Sequence, residues 1–285
     1  DSTLEIVENI PDIRLKVLSY PNAGLPASRN RGIAQARGEY ISFLDADDLW
    51  TPDKLEAQLQ ALQANPQAAV AYSWTDFIDE AGQFLRQGTH LSVNGDAYAH
   101  LLLINFLENG SNPLIRAQAL TKVGGFDESL TNSQDWDMWL RLAAHYHFVT
   151  VPSPQVLYRT SAGSMSTNVW RLEAAGLQVL KRAFAKAPES LQHLKPYSFG
   201  NFYKYLLFKA IEGTPARNRG LVAAKFLWCV LKNEPKLLKT RYFVKVLLKI
   251  MAVILLPPQQ AQRLLTKVSQ HYNINALPSF RYEPF

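Results

Sequence analysis

Apolar and polar positions change period several times along this chain, and each change marks an element. Leu4-Glu5-Ile6-Val7-Glu8-Asn9-Ile10 carries a helical period. Arg14 to Ser19 alternates, with apolar side chains at Leu15, Val17 and Leu18, and predicts a short strand. Ala27 to Arg37 returns to helical spacing, with Gly38 near its C-cap. Tyr40-Ile41-Ser42-Phe43-Leu44 is a run of strand formers, and Thr51-Pro52 offers an N-cap and N1 pair for a helix over 53–64. Ala68 to Trp74 predicts another strand. This β–α–β–α–β order predicts an α/β fold with a mostly parallel sheet and flanking helices.

The middle of the chain is mixed. Phe77 to Leu85 predicts a hairpin turning at Glu80-Ala81-Gly82, Asp96 to Leu107 a helix, and Asn112 to Arg116 a short strand. A Gly-Gly loop follows in TKVGGFDESL, then a helix over Asp135 to Ala144 and short strands at 148–151 and 156–158 around Pro152 and Pro154. From Asn168 onward every pattern is helical: 168–186, 197–212, 216–232, 239–256 and 258–271, with breaks near Pro188, Gly213-Thr214-Pro215, Pro235 and Pro257-Pro258. The chain therefore divides into an α/β region over 1–167 and an all-helical extension over 168–285.

Composition sharpens this division. With 285 residues, 47% apolar and 19% charged, the chain can bury a sizeable core and is not disordered. A single cysteine, Cys229, excludes an internal disulfide and a Cys-based zinc cluster within one chain. No signal-peptide pattern is visible at the start, and a reducing cytoplasm is the expected compartment. Residues 1–180 hold 12 Lys+Arg against 20 Asp+Glu, a net of −8, whereas residues 181–285 hold 18 against 4, a net of +14. The basic half suits an anionic membrane surface, on the inner face of the cell membrane, or nucleic acid. Its aromatics Tyr203, Tyr205 and Phe208 fall at helical spacing that suits a core, which argues against nucleic acid. Phe243 to Leu256 is the most apolar segment, yet it is 14 residues long and contains Lys245 and Lys249, too short and too charged to span a membrane. It reads either as a core-packed helix or as a helix lying in a membrane interface.

The most conspicuous chemistry is Asp45-Ala46-Asp47-Asp48, three carboxylates in four residues at the end of a predicted strand. The carboxyl end of a parallel strand is where open α/β sheets bind ligands. A hard cation such as Mn²⁺ or Mg²⁺ bridging carboxylates to a diphosphate would offset their repulsion. The bland alternative is an acidic loop capping the next helix.

The surrounding blocks resemble a family. ASRNRGIAQARGEYISFLDADDLWTPDKL, with Asn30, Gly32, Ala36, Gly38 and Tyr40 in register, looks like the central signature of family-2 glycosyltransferases with the GT-A fold. KVGGFDESL (122–130), SQDWDMWLRLA (133–143) and LYRTSAGSMSTN (157–168) resemble three further blocks of that family in the same order. The resemblance covers about residues 1–170. It implies an inverting transfer of a sugar from a UDP- or GDP-type donor to a saccharide or lipid-linked acceptor, in polysaccharide, glycolipid or other cell-envelope glycan synthesis. By the same resemblance Asp47 is the first metal ligand, Asp45 contacts the metal or the donor ribose, and Asp48 either assists the metal or braces the loop. Asp135 is the candidate general base. Arg29 and Asn30 fall on the donor side, with a donor phosphate or a nearby carboxylate as partner for Arg29 or Arg31. Phe126, Asp127, Gln134 and Trp136 fall on the acceptor side, with Trp139 assigned to the core and Arg141 to bracing the Asp135 helix. His145 and His147 are expected to be solvated.

The sequence departs from the pattern in three places. Gln134 stands where the family has Glu, and Thr160-Ser161 follow Tyr158-Arg159 where part of the family has a metal-binding histidine. Asp1-Ser2-Thr3 resembles the tail of a nucleobase-holding block, so the first two strands of the family pattern are expected to be missing. One rival is therefore an inactive, truncated domain serving as a membrane-surface or protein-binding module. A haloacid-dehalogenase-type phosphatase also starts with strand-Asp-x-Asp, but the usual Gly-Thr is missing after Asp48.

Overall fold

The computed structural model describes residues 2–161, 168–212 and 215–271. Asp1, the 162–167 part of the block that follows Arg159, the Gly213-Thr214 break and everything after His271 lie outside the described residues. The N-terminal helix α1 (Thr3–Glu8) and helix α2 (Leu25–Gln35) precede strand β1 (Tyr40–Ser42). Strand β2 (Leu49–Trp50), helix α3 (Lys54–Ala64) and the hairpin of β3 (Ala68–Ile78) and β4 (Phe84–Gln87) follow. Next come α4 (Tyr98–Leu103), β5 (Leu114–Arg116), α5 (Ala117–Val123), α6 (Gln134–Ala143) and β6 (His147–Arg159). Helices α7 (Val169–Lys186), α8 (Lys195–Ile211), α9 (Arg217–Asn233), α10 (Arg241–Leu255) and α11 (Pro258–His271) complete the chain.

The sheet is mixed rather than mostly parallel. Its order is β1-β5-β3-β6-β2, with β4 added beside the far end of β3. Strands β1, β3 and β6 share one direction, as the β–α–β order requires. The short β5 enters between β1 and β3 antiparallel to both, and β2 runs antiparallel to β6. A three-residue strand that follows a loop needs no crossover helix, so it can return in the opposite direction.

Several boundaries differ from the expected ones for identifiable reasons. Arg14 to Ser19 forms no strand: Leu15, Val17 and Leu18 are exposed and no described strand lies beside them. Helix α2 closes at Gln35 with an extended Ala36, so Gly38 is not its cap. Helix α3 starts at Lys54, and Thr51 contributes its carbonyl to the Lys54 N–H at 3.2 Å instead of a side-chain cap. The helix expected over 96–107 is only α4, because the chain turns into the Ile104–Gly110 loop with Glu108 in a left-handed conformation (φ 69°). The two short strands expected around Pro152 and Pro154 are one strand, β6. Val151 faces Ser73 and Pro154 faces Trp74, so residues 152–153 bulge out of the pairing with β3.

Helix α3 covers one face of the sheet through Leu62 on Ala68, Ala71, Leu114 and Val149. The opposite face carries the main core. It runs without a break from Val70, Ile115 and Phe148 through Trp136 and Trp139 of α6 to Phe202, Leu206, Phe226 and Ile250 of the C-terminal helices.

Candidate active site

The site begins at the carboxyl end of β1. The chain turns at Asp45–Asp48, closed by the Asp48 N–H on the Asp45 carbonyl at 3.0 Å. Ser111 fastens this turn twice: its Oγ accepts from the Asp45 N–H (3.0 Å) and donates to Asp48 Oδ2 (2.6 Å). Asp48 Oδ1 accepts the backbone N–H of Arg159 at 3.0 Å. Arg159 then donates through Nε to the Asp47 carbonyl (2.8 Å) and through Nη1 to the carbonyls of Asp79 and Glu80 (3.0 Å each). Asp48 is buried, and burial pushes its carboxyl up to about 6 against the two hydrogen bonds, with Asp45 and Asp47 adding to the rise. Its oxygens are thus engaged in holding the turn, while Asp47 is left exposed and Asp45 half-buried.

Arg29 of α2 reaches under this turn. Its Nη2 donates to Asp45 Oδ1 at 2.7 Å, and the guanidinium lies 5.7 Å from the centre of the Phe43 ring and 5.3 Å from that of Phe126. Gly110 lies so close to the guanidinium that any Cβ there would collide with it. Arg29 is 6% exposed, yet its Nε and Nη1 have no hydrogen-bond partner. A buried cation with two unused donors is costly unless an anion completes it.

Asp135 is the second residue of α6, entered through Ser133 in a left-handed conformation (φ 56°). Its Oδ2 accepts from Asn105 Nδ2 at 3.2 Å. Burial raises its carboxyl above the ordinary range. The charge of Arg29, the Trp136 N–H and Asn105 pull it back, and Asp45 adds to the rise. Among the described residues, Arg29 is therefore the cation that acts on both the Asp45 turn and Asp135.

The other residues named from the sequence are placed by their hydrogen bonds and packing. Asn30 is committed to the 126–128 loop: its Nδ2 donates to the Phe126 carbonyl (2.9 Å) and to Glu128 Oε1 (2.8 Å), and its Oδ1 accepts from the Phe126 N–H (2.7 Å). It clamps α2 to that loop through both of its side-chain polar atoms. Phe126 and Trp136 are buried, so neither offers an open platform for an acceptor. Phe126 packs edge-on against Phe43 and Trp139, and Trp136 donates its Nε1 to the Leu101 carbonyl at 2.8 Å. Asp127 pairs with Arg182 at 2.5 Å and accepts from Ser129. Gln134 is buried with its Oε1 unpartnered. Trp139 is fully buried, Asp137 pairs with Arg141 at 2.8 Å, and Arg141 donates to the Val123 and Gly125 carbonyls. His145 and His147 are exposed.

Ser111, Asn105 and Arg159 also shape the site. The motifs of the sequence do not single them out as doing so, because each acts on a partner 30 to 112 positions away. Asn112 sits behind Ser111, fully buried. It donates to the Ser73 and Leu107 carbonyls and to Thr75 Oγ1, and accepts from the Ser73 N–H.

For a divalent cation, the donor set is the exposed carboxylate of Asp47 and the half-buried one of Asp45, with no group of three His, Cys, Asp or Glu side chains among the described residues. Two carboxylates, one of them shared with the Arg29 guanidinium, suit a hard cation whose remaining ligands come from a diphosphate and water.

The sequence profile of glycosyltransferase-like family 2 matches residues 1–210, and the chain belongs to that family. An uncharacterised glycosyltransferase of Methanocaldococcus jannaschii is 33% identical over 48% of this chain and 48% of its own length. Chondroitin synthase of Escherichia coli is 30% identical over 50% of this chain and 21% of its own length, and hyaluronan synthase of Pasteurella multocida 26% identical over 50% and 14%. The chain thus spans about half the length, or less, of the curated relatives it matches. Among solved structures, TarS of S. aureus in complex with UDP-GlcNAc aligns over 96% of this chain and 76% of its own, at 16% identity and a TM-score of 0.49.

Proposed function

We propose that this chain transfers a glycosyl group, with inversion, from a UDP- or GDP-type sugar to the hydroxyl of a saccharide or lipid-linked acceptor. The observation that carries the reading is Arg29, a buried cation with two unpartnered donors that pairs with Asp45 and whose charge also acts on Asp135. A donor diphosphate beside Asp45 and an acceptor hydroxyl beside Asp135 would both feel that charge. The names of the chondroitin and hyaluronan synthase relatives support polysaccharide synthesis as the setting. The basic C-terminal half supports a peripheral position on an anionic membrane face.

In this reading the charge of Arg29, held beneath the Asp45 turn, offsets the charge that develops as the bond from the anomeric carbon to phosphate oxygen breaks. Asp135 accepts the proton of the acceptor hydroxyl as the new glycosidic bond forms. Asn105 and the Trp136 N–H orient its carboxylate. Asp47 and Asp45 would hold Mn²⁺ or Mg²⁺, whose chemistry here is neutralisation of the leaving diphosphate.

The test is Asp135→Asn. Transfer should fall by about 10²–10⁴-fold, with nucleotide-sugar affinity by calorimetry nearly unchanged. A wild-type transfer rate in the variant overturns the assignment. A thermal-shift screen of nucleotide sugars identifies the donor first, since a ligand of the native state raises its melting temperature.

A further inference from the structure

Helix α10 has two apolar faces. Val246, Ile250 and Val253 are buried on the rest of the helical region, and Ile254 and Val253 press against Gly220 of α9. The outer face repeats Val244, Leu248, Met251 and Leu255 at intervals of four, three and four, which is one continuous helical stripe. These four side chains are 44–70% exposed. A soluble surface ordinarily scatters its exposed apolar groups, and a contiguous stripe marks an interaction face.

Charge identifies the partner. Residues 235–264 carry six basic side chains (Lys236, Lys239, Arg241, Lys245, Lys249 and Arg263) and no acidic one. Lys236, Lys239, Arg241 and Lys245 are exposed, on the approach to the stripe and within its first turns. Leu238, 52% exposed, adds an apolar side chain between two of those lysines. Glu234, just before this segment, is turned inward onto the buried Lys204 at 2.6 Å and does not offset the outward charge. No helix among the described residues is long and apolar enough to cross a membrane. At 15 residues, α10 spans about 22 Å, short of a hydrocarbon core of about 30 Å. A helix of this length with an apolar stripe and basic approaches lies in an interface rather than through it.

We propose that the outer face of α10, led by the 235–239 turn, docks on an anionic lipid surface, with Val244, Leu248, Met251 and Leu255 inserted among the acyl chains and the basic side chains on the headgroups. The inference deepens the membrane placement given above. It does not depend on glycosyl transfer, so its test uses neither donor nor acceptor.

The full chain is sedimented with vesicles of phosphatidylcholine containing about 30% phosphatidylglycerol, and with vesicles of phosphatidylcholine alone. Binding is expected to the first and to fall at least tenfold on the second. Leu248→Glu with Met251→Glu should lower binding to the anionic vesicles at least tenfold at an unchanged melting temperature. Lys239→Ala with Lys245→Ala should lower it severalfold and flatten its dependence on salt. Three results overturn the proposal: no binding of wild-type chain to anionic vesicles, undiminished binding by the Leu248/Met251 variant, or a wild-type dimer that this variant converts to a monomer while vesicles capture neither form. The last would mean that a second copy covers the stripe. Because the assay reads lipid alone, a lost transferase activity leaves its outcome untouched.

Discussion

Arg29 connects the two charged parts of the site, and its geometry matters as much as its charge. Arg29→Lys keeps a cation near Asp45 but loses the planar group that lies against Phe43 and Phe126 and fixes Asp45. Donor affinity should weaken by about 10–100-fold, read by calorimetry. Arg29 also holds the Asp135 carboxyl down against burial. With Asp135 as the proposed base, which must be ionised to act, transfer should fall as pH drops through its raised pKa, and weakening Arg29 should move that acid limb of the pH–rate profile upward. Lys54 behaves differently. It is fully buried with its Nζ 4.0 Å from the Trp50 ring centre and 3.0 Å from Gln58 Oε1, and burial lowers its pKa to about 7. Between pH 7 and the ordinary lysine range the unfolded chain binds the extra proton, so stability rises with pH. The slope is at most about 1.4 kcal/mol per pH unit. Lys54→Met should flatten that slope between pH 7 and 9 in urea unfolding. Asp45, Asp47 and Asp135 are candidates that the sequence offers because acids at a strand end and a helix start stand out against their neighbours. The engagement of Asn30, Phe126 and Trp136 was not visible there, because an amide clamp or a buried ring is defined by residues far along the chain.

Among the elements, the long helices of the C-terminal half lie within about two residues of where periodicity puts them, because an amphipathic pattern over four or more turns leaves little freedom. Short strands were less legible. The alternation over Arg14–Ser19 has no partner, and the three-residue β5 takes its direction from the strands around it. Strand β2 was not anticipated, since two residues carry no period. Where β5 begins, Asn112 replaces ladder pairing by side-chain bonds that tie the strand entrance to Ser73 and Thr75 of β3. Asn112→Ala leaves those buried groups unpaired and should cost on the order of 2–4 kcal/mol, measured by urea unfolding. The Asp45 turn should loosen with it, because Ser111 is its neighbour.

The whole molecule divides by composition but not by core. Ser198 and Asn201 of α8 donate to the Leu102 and Leu103 carbonyls of α4, and Phe202 packs on Trp136 of α6 with ring centres 5.9 Å apart. A continuous core predicts one unfolding transition, with far-UV dichroism and tryptophan fluorescence coinciding in urea. Phe202→Ala should shift both together, by about 3–5 kcal/mol; separate transitions would show that the acidic and basic halves unfold independently. The prolines of β6 bear on a different matter, how the chain behaves toward copies of itself. Pro152 and Pro154 are exposed on the stretch of β6 between the Gly95 bridge to Phe148 and the pairing of β2 with Val156 and Leu157. A strand edge left open there would be a template for another chain, but proline has no N–H to offer it. The bulge that first looked like an interruption of the sheet thereby serves as protection against aggregation.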